Sequence, residues 1–340
     1  MIEDSQLLNG FRCCEKVLSN LALGASQDYV INELREIVEN LGSQRQAVLF
    51  LYDEQSHKLS AAHVHKVASN LIKSIEQEQV GQYLESCAAS VFLGQAVLVD
   101  NVKSHPNWVN YRDLAEQAGI QSCWSVPILS SKGRVFGCFS IFNQNSGLPS
   151  DEDLEIQTLA AHIVSVAIEK NQLEQALIFA ATHDPLTKLP NRTLFETSAN
   201  QALRIAERRN LPYCIAFIDI NDFKLINDLH GHDIGDKVLI ALADVMQGEL
   251  RGTDVLARLG GDEFIIGLAD TSSDGALRYI KRLEKKLNAK ITALLNDETI
   301  RLAVGIAEAS EEYPSLTELI KMADKAMYQD KQQKKEQRKH

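Results

Sequence analysis

In the first 150 residues, apolar positions alternate between helical and extended spacing. Residues 30–41 place apolar side chains three and four apart and predict a helix. Residues 47–52 form a short apolar run that reads as a strand; 58–65 and 96–102 predict two more. Two longer runs, 123–129 and 134–142, flank Ser130-Ser131-Lys132-Gly133. That arrangement predicts a hairpin in which Gly133 takes the backbone angles of the turn. The pattern implies a mixed sheet with helices.

From Asp151 to Asp184 there is no glycine or proline, which permits one long helix. Leu159, Ile163, Val166, Leu173, Leu177 and Ala180 fall at alternating steps of four and three, with Lys170 at the polar position. This heptad pattern predicts a parallel coiled coil between two copies, against the alternative of a helix packed on its own chain. His183-Asp184-Pro185 ends it, because proline disfavours helix at the preceding residue. Beyond it, residues 213–218 read as a buried strand running to an exposed Asp219. A helix from Phe223, a glycine-broken loop at 231–236 and a helix over 237–250 follow. A strand over 255–259, a turn at Gly260-Gly261 and a return strand from Asp262 come next. The expected division is 1–150, a helical linker at 151–183, and 184–340.

The 340 residues are 45% hydrophobic and 24% charged, so each half can bury a core. A formal net charge of -11 opposes binding to a nucleic-acid backbone, but local lysines and a divalent cation leave a nucleotide substrate open. The six cysteines form no CxxC pair and no zinc spacing, so free thiols in a reducing compartment are expected. The polar, acidic first residues and the lack of a long apolar run lead to the expectation of a soluble, cytoplasmic protein without a membrane span.

Asp219 at a strand end and Asp262 and Glu263 at a hairpin tip would converge if their strands are neighbours. Carboxylates that close raise one another's pKa, and a divalent cation removes the cost. Magnesium, or manganese in its place, takes one or two carboxylates together with substrate phosphates. Lys224 and Lys331 are candidate phosphate contacts. No GxxxxGK[ST] loop or strand-borne GxGxxG is present, so a triphosphate would be held by metal and side chains.

Residues 102–108 (VKSHPNW), Tyr111-Arg112, 119–128 (GIQSCWSVPI), the Gly133/Gly137 hairpin and the acidic 151–154 segment resemble a GAF domain. That resemblance implies a sensory domain at 1–150, with a small ligand that its residues do not name. Trp108, Trp124 and His105 are read as packing residues before ligand contacts. In the second half, Gly260-Gly261-Asp262-Glu263-Phe264 is the signature of the GGDEF family of diguanylate cyclases. It is joined by Asp184-Pro185-Leu186-Thr187, Leu189-Pro190-Asn191-Arg192, 219–228 (DINDFKLIND), 231–236 (GHDIGD), Gly305-Ile306-Ala307 and 323–328 (ADKAMY).

The resemblance spans about 182–335 and implies an α+β chain whose catalytic domain is a palm like that of nucleotidyl cyclases. It implies an enzyme that condenses two GTP into cyclic di-GMP, working as a homodimer. Asp219, Asp262 and the Ile220 carbonyl would hold magnesium, and Glu263 would act as base or hold a second metal. Asn227 and Asp236 would read guanine. His232, Lys224, Lys331, Gly260 and Gly261 would contact the nucleotide. Arg251, Asp254 and Arg282 would bind product as an inhibitor. Asn221 and Lys335 stand where the family commonly has Asp and Arg. A non-catalytic receptor for cyclic di-GMP and a cyclase for adenine-containing dinucleotides are the competing readings.

Overall fold

The computed structural model describes residues 2–42, 44–62, 69–292, 295, 299–310 and 315–337. The chain divides into two compact units, Met1–Gln175 and Ala176–His340.

The first unit contains α1 (Ile2–Ala22), α2 (Gln27–Asn40), β1 (Arg45–Asp53), β2 (Lys58–Ala62), α3 (Ser69–Gln77), α4 (Ser86–Leu93) and β3 (Val97–Val99). A 3-10 turn (Pro106–Tyr111), α5 (Arg112–Gln117), β4 (Ser122–Leu129), β5 (Val135–Asn143) and the start of α6 (Asp151–Thr182) complete it. The sheet is antiparallel, ordered β2-β1-β5-β4-β3. Successive side chains of a strand point to opposite faces. Ala47 and Leu49 therefore pack with α1, α2 and α6, while Val48 and Phe50 pack with α3 and α4. Burial on both faces is why β1 reads as an unbroken apolar run. Gly137 has φ 153, and a Cβ there would lie 1.8 Å from the Phe50 carbonyl oxygen, so only glycine lets β5 close on β1.

Several expectations are corrected. The helix α1 was not anticipated. The second strand ends at Ala62, and its expected His63–His65 portion lies outside the described residues; β3 spans three residues. Trp108 is fully buried and donates to Ser86 Oγ (3.0 Å), Trp124 donates to the Gly147 carbonyl (2.9 Å), and His105 caps the 3-10 turn. These are packing and capping roles, in line with the reading of these residues from the sequence.

α6 is one continuous helix, as expected. Its first half is buried in its own unit through Ile156, Ala160, Ile163, Val164, Ala167 and Ile168. Ile163 is thus a core residue of its own chain, since the same three-and-four spacing serves either purpose. Val166, Leu173, Leu177, Ile178 and Phe179 are exposed, and Lys170 pairs with Glu174 one turn on at 2.7 Å. No described helix is long and apolar enough to cross a membrane.

The second unit contains α7 (Arg192–Arg209), β6 (Tyr213–Ile220), α8 (Phe223–His230), α9 (His232–Glu249), β7 (Val255–Gly260), β8 (Glu263–Ala269), α10 (Ser273–Ile291), β9 (Leu302–Glu308) and α11 (Leu316–Gln337). Its antiparallel sheet is ordered β7-β8-β6-β9. Cys214, Ala216, Ile218 and Ile220 of β6 face α9 and α10, while Tyr213, Ile215 and Phe217 face α7 and α11. At Gly305 a Cβ would lie 1.9 Å from the Ala323 carbonyl and 2.2 Å from the Met327 nitrogen. The backbone of α11 therefore lies directly on β9, which carries the helix's last turns toward the end of β6.

Candidate active site

The end of β6 sets the site. Asp219 falls on the α7/α11 face by strand alternation and sits opposite Glu263 in the β6–β8 register. It is 4% exposed, not the solvated strand end expected from the sequence, because β6 runs on through Ile220 between two neighbours. Between β7 and β8, Gly260 (φ 141) and Gly261 (φ 55) turn the chain with angles an L side chain resists. That turn puts Asp262 beside Glu263.

The electrostatics follow from this crowding. Burial raises the Asp219 pKa, and the Asp262 charge adds to it, while Lys331 pulls the other way. Glu263 is raised by burial and then by Asp219, Asp262 and Asp324, against a lowering by Arg192. The α11 ammonium of Lys331 bonds both oxygens of Asp219 at 2.6 Å. Lys331 therefore stands where a cation is wanted. The three acids do not form a ready-made cage: no group of three or more His, Cys, Asp or Glu among the described residues is placed to hold a metal ion. Two carboxylates and the Ile220 carbonyl still fit magnesium, which keeps positions for water and phosphate.

Asn227 and Asp236 lie on α8 and α9. The α9 helix starts at His232, five residues before the expected 237, and encloses Gly235. Glycine is needed there because a Cβ would lie 1.9 Å from Asn227 Oδ1. That buried Oδ1 has no hydrogen-bond partner among the described residues. Asp236, His232 and Lys224 are exposed. Lys334 bonds the Leu302 carbonyl (2.9 Å) and Asp330 (2.6 Å), and Lys335, beside it, is exposed.

Arg251, Asp254 and Arg282 line one cavity of about 290 Å³ with Arg278 and Tyr279. Asp254 uses its two oxygens to accept from the Arg251 and Ala269 backbone amides, at 2.9 and 3.2 Å, which fixes the loop. Arg282 is held by Glu249 (2.6 Å) and lies over the Tyr279 ring.

The sequence reading assigned no role to Arg258. It is 8% exposed, donates to the Gly261 carbonyl from Nε (3.0 Å) and Nη2 (2.7 Å), and reaches Asp184 from Nη1 (2.8 Å). It ties the glycine turn to the chain after α6. Arg192 and Asp324, both sensed by Glu263, were also missed as site residues. A basic residue two positions before Gly260 was the available signal for Arg258.

An α+β unit with acids gathered at a strand end, a buried amide oxygen without a described partner and an arginine-lined cavity has the groups to hold a cation and an anionic ligand. The comparisons agree. Residues 181–337 match the family described as diguanylate cyclase, GGDEF domain, and residues 25–169 match the GAF domain. The chain thus carries a GAF domain over 25–169, followed by a GGDEF domain over 181–337.

It is 41% identical over 161 residues to the diguanylate cyclase TpbB of Pseudomonas aeruginosa, covering 46% of this chain and 37% of that protein. To the probable diguanylate cyclase DgcC of Escherichia coli it is 35% identical over 151 residues, covering 44% and 41%. The chain thus spans about two fifths of the length of these relatives. Among solved structures, the GGDEF domain of DgcB from Caulobacter crescentus in complex with c-di-GMP is 27% identical. That match has a TM-score of 0.40 and covers 45% of this chain and 88% of that one.

Proposed function

We propose that the chain is a diguanylate cyclase, condensing two GTP into cyclic di-GMP and two pyrophosphates, with its rate set by the GAF domain. The observation that carries the reading is the Asp219–Glu263 pair facing across the β6–β8 ladder with Asp262 alongside, two of the three with raised pKa. Such a set is stabilised by a cation and suits proton abstraction.

Asp219, Asp262 and the Ile220 carbonyl would hold magnesium or manganese. When bound, the metal neutralises these acids and polarises the phosphoryl group. Lys331, displaced from Asp219, shifts its ammonium to the triphosphate, and Lys224 supports it there. The Gly260–Gly261 turn leaves space beside the acids for the nucleotide. Glu263, whose raised pKa makes it a stronger base, accepts the 3′-hydroxyl proton. Asn227 Oδ1 and the Asp236 carboxylate accept from the guanine N–H edge, with His232 at the start of the same helix. Adenine offers no matching donors to an acceptor pair.

Each chain supplies one GTP and half of a two-fold site, so alignment of two copies sets the effective molarity. The exposed apolar residues Val166, Leu173 and Leu177 of α6 provide the seam for that homodimer. The cavity of Arg251, Asp254 and Arg282 takes the product's phosphates and guanine edge and restrains turnover. Purified protein, stripped of nucleotide, is incubated with GTP and magnesium, and nucleotides and pyrophosphate are quantified. The proposal expects two pyrophosphates per cyclic di-GMP. Intact GTP after long incubation at micromolar protein overturns it.

A further inference from the structure

The first unit buries a polar and sulfur-bearing patch that the proposed chemistry does not use. Cys87, Cys123 and Cys138 are wholly buried, as are Ser125 and Ser140. Ser125 and Ser140 are register partners on β4 and β5, and their hydroxyls are 2.8 Å apart. Strand alternation puts Cys123 two positions before Ser125 and Cys138 two positions before Ser140, all on the face toward α4. Because the strands are antiparallel, the two cysteines flank the serine pair on opposite sides, about 14 Å apart along the ladder at ~3.4 Å per residue. Cys87 of α4 sits over the middle. Its sulfur is 3.7 Å from Ser125 Oγ, and it interacts with both flanking thiols. Cys123 and Cys138 approach Ser125 and Ser140 at 3.7 and 3.5 Å.

This is a row, not a cage. A metal needs several ligands about one point, and no cysteine group among the described residues is so placed. A row with a central thiol suits pairwise sulfur chemistry. Glu85 caps α4 by accepting from the backbone amides of Cys87 (2.5 Å) and Ala88 (3.0 Å), which fixes Cys87 in the first turn. A helix N-terminus favours thiolate over thiol. Burial raises the Cys87 pKa, but hydrogen bonds from Cys123, Cys138, Ser140 and Glu85 outweigh it and bring the thiol well below its ordinary value. Burial pushes Cys123 and Cys138 well up, so each keeps its proton.

We propose that this row is a modification site for small neutral hydroperoxides, with Cys87 as the residue first oxidised and Cys123 or Cys138 as the resolving one. The Cys87 thiolate attacks the terminal peroxide oxygen. An S–O bond forms, the O–O bond breaks, and the alkoxide or hydroxide leaves with a proton. The flanking thiol then attacks the sulfenic sulfur, an S–S bond forms, the S–O bond breaks and water departs. Two thiols are oxidised to one disulfide while one hydroperoxide is reduced to water and an alcohol, or to two waters. Complete burial restricts the reagent: a small uncharged molecule enters by local opening of the eight-residue α4, and a bulky anionic one does not.

The reduced full-length chain is exposed to hydrogen peroxide, denatured in an alkylating agent and mapped by mass spectrometry without reduction. The proposal expects two of the six thiols to be lost, with Cys87 linked to Cys123 or Cys138 and the link reversed by dithiothreitol. Cys87→Ser should retain both flanking thiols, and Cys123→Ser should form only the Cys87–Cys138 link. Recovery of all six thiols, an equal yield of disulfide in Cys87→Ser, or linkage confined to Cys13 and Cys14 would each overturn it. The mapping of the wild-type protein with hydrogen peroxide stands without relying on any variant's folding.

Discussion

The two sheets of this chain treat buried polar groups differently. In the N-terminal unit many interior polar side chains meet one another or the backbone: Ser125 meets Ser140, Trp108 meets Ser86, and Gln157 donates to the Trp124 and Phe139 carbonyls, although Gln157 Oε1 and Asn143 Nδ2 have no described partner. In the C-terminal sheet burial, and after it neighbouring acids, raise the pKa of Asp219 and Glu263, and Asn227 Oδ1 is left without a described partner. Burying a polar group costs free energy unless it is paired. The difference shows where the chain gathers unrelieved charge. The C-terminal strand ends collect acids that a cation would relieve, whereas the N-terminal core sets hydroxyl against hydroxyl, indole against hydroxyl and thiol against hydroxyl.

The contrast is broken most sharply at Glu263. Glu263→Gln should lower the rate of GTP condensation by about 10²–10⁴-fold, the usual worth of a positioned base. Removing a destabilised charge should leave the thermal midpoint unchanged or raise it. A stability loss accompanying the activity loss would make Glu263 structural.

Arg258→Ala comes next, and it acts on stability. It leaves Asp184 as an unpaired, largely buried charge and frees the Gly261 carbonyl, for which a loss of about 3–5 kcal/mol in denaturant unfolding is expected. For Asp184, burial raises the pKa, but the Thr187 and Arg258 hydrogen bonds prevail and hold it below the ordinary carboxylate range. The stabilisation from this pair is therefore present above the unfolded-state pKa of about 4 and disappears as pH falls through the lower folded value. Denaturation at pH 6 and pH 3 should show wild type approaching the variant at the lower pH.

A smaller effect is expected at Asn227. Asn227→Ala should weaken discrimination of GTP against ATP by about 1–3 kcal/mol in competition assays. The smallest effect sharpens the other side of the comparison. Ser125→Ala should cost about 1 kcal/mol of unfolding free energy, the worth of one neutral hydrogen bond, without altering guanine selectivity.

Much of this was readable in the chain before any coordinates. The β4–β5 hairpin was legible because the turn residues and the flanking apolar runs agree, and residues near 151–182 because nothing interrupts the helix. The acids of the Gly260–Phe264 segment were legible because the glycines mark a turn. What escaped notice depended on tertiary partners. The α1 helix begins in a polar, acidic stretch, and its buried face of Cys14, Val17 and Leu21 follows only beyond it. Gly235 looked like a helix breaker, but its value is close approach to Asn227. Arg258 offered only its place before the glycine turn, and its role exists only once Asp184, 74 residues earlier, is beside it. The burial of Asp219 likewise came from β8 and β9 flanking β6.

The central claim is that Asp219, with its neighbours, makes a cation-dependent nucleotide site from which Lys331 is displaced. Calorimetric titration of manganese into protein saturated with a non-hydrolysable GTP analogue tests it most directly. The account predicts stoichiometric binding in wild type and its loss in Asp219→Asn, and for Lys331→Met measured without nucleotide it predicts tighter binding than wild type. Undiminished manganese binding by Asp219→Asn would contradict it.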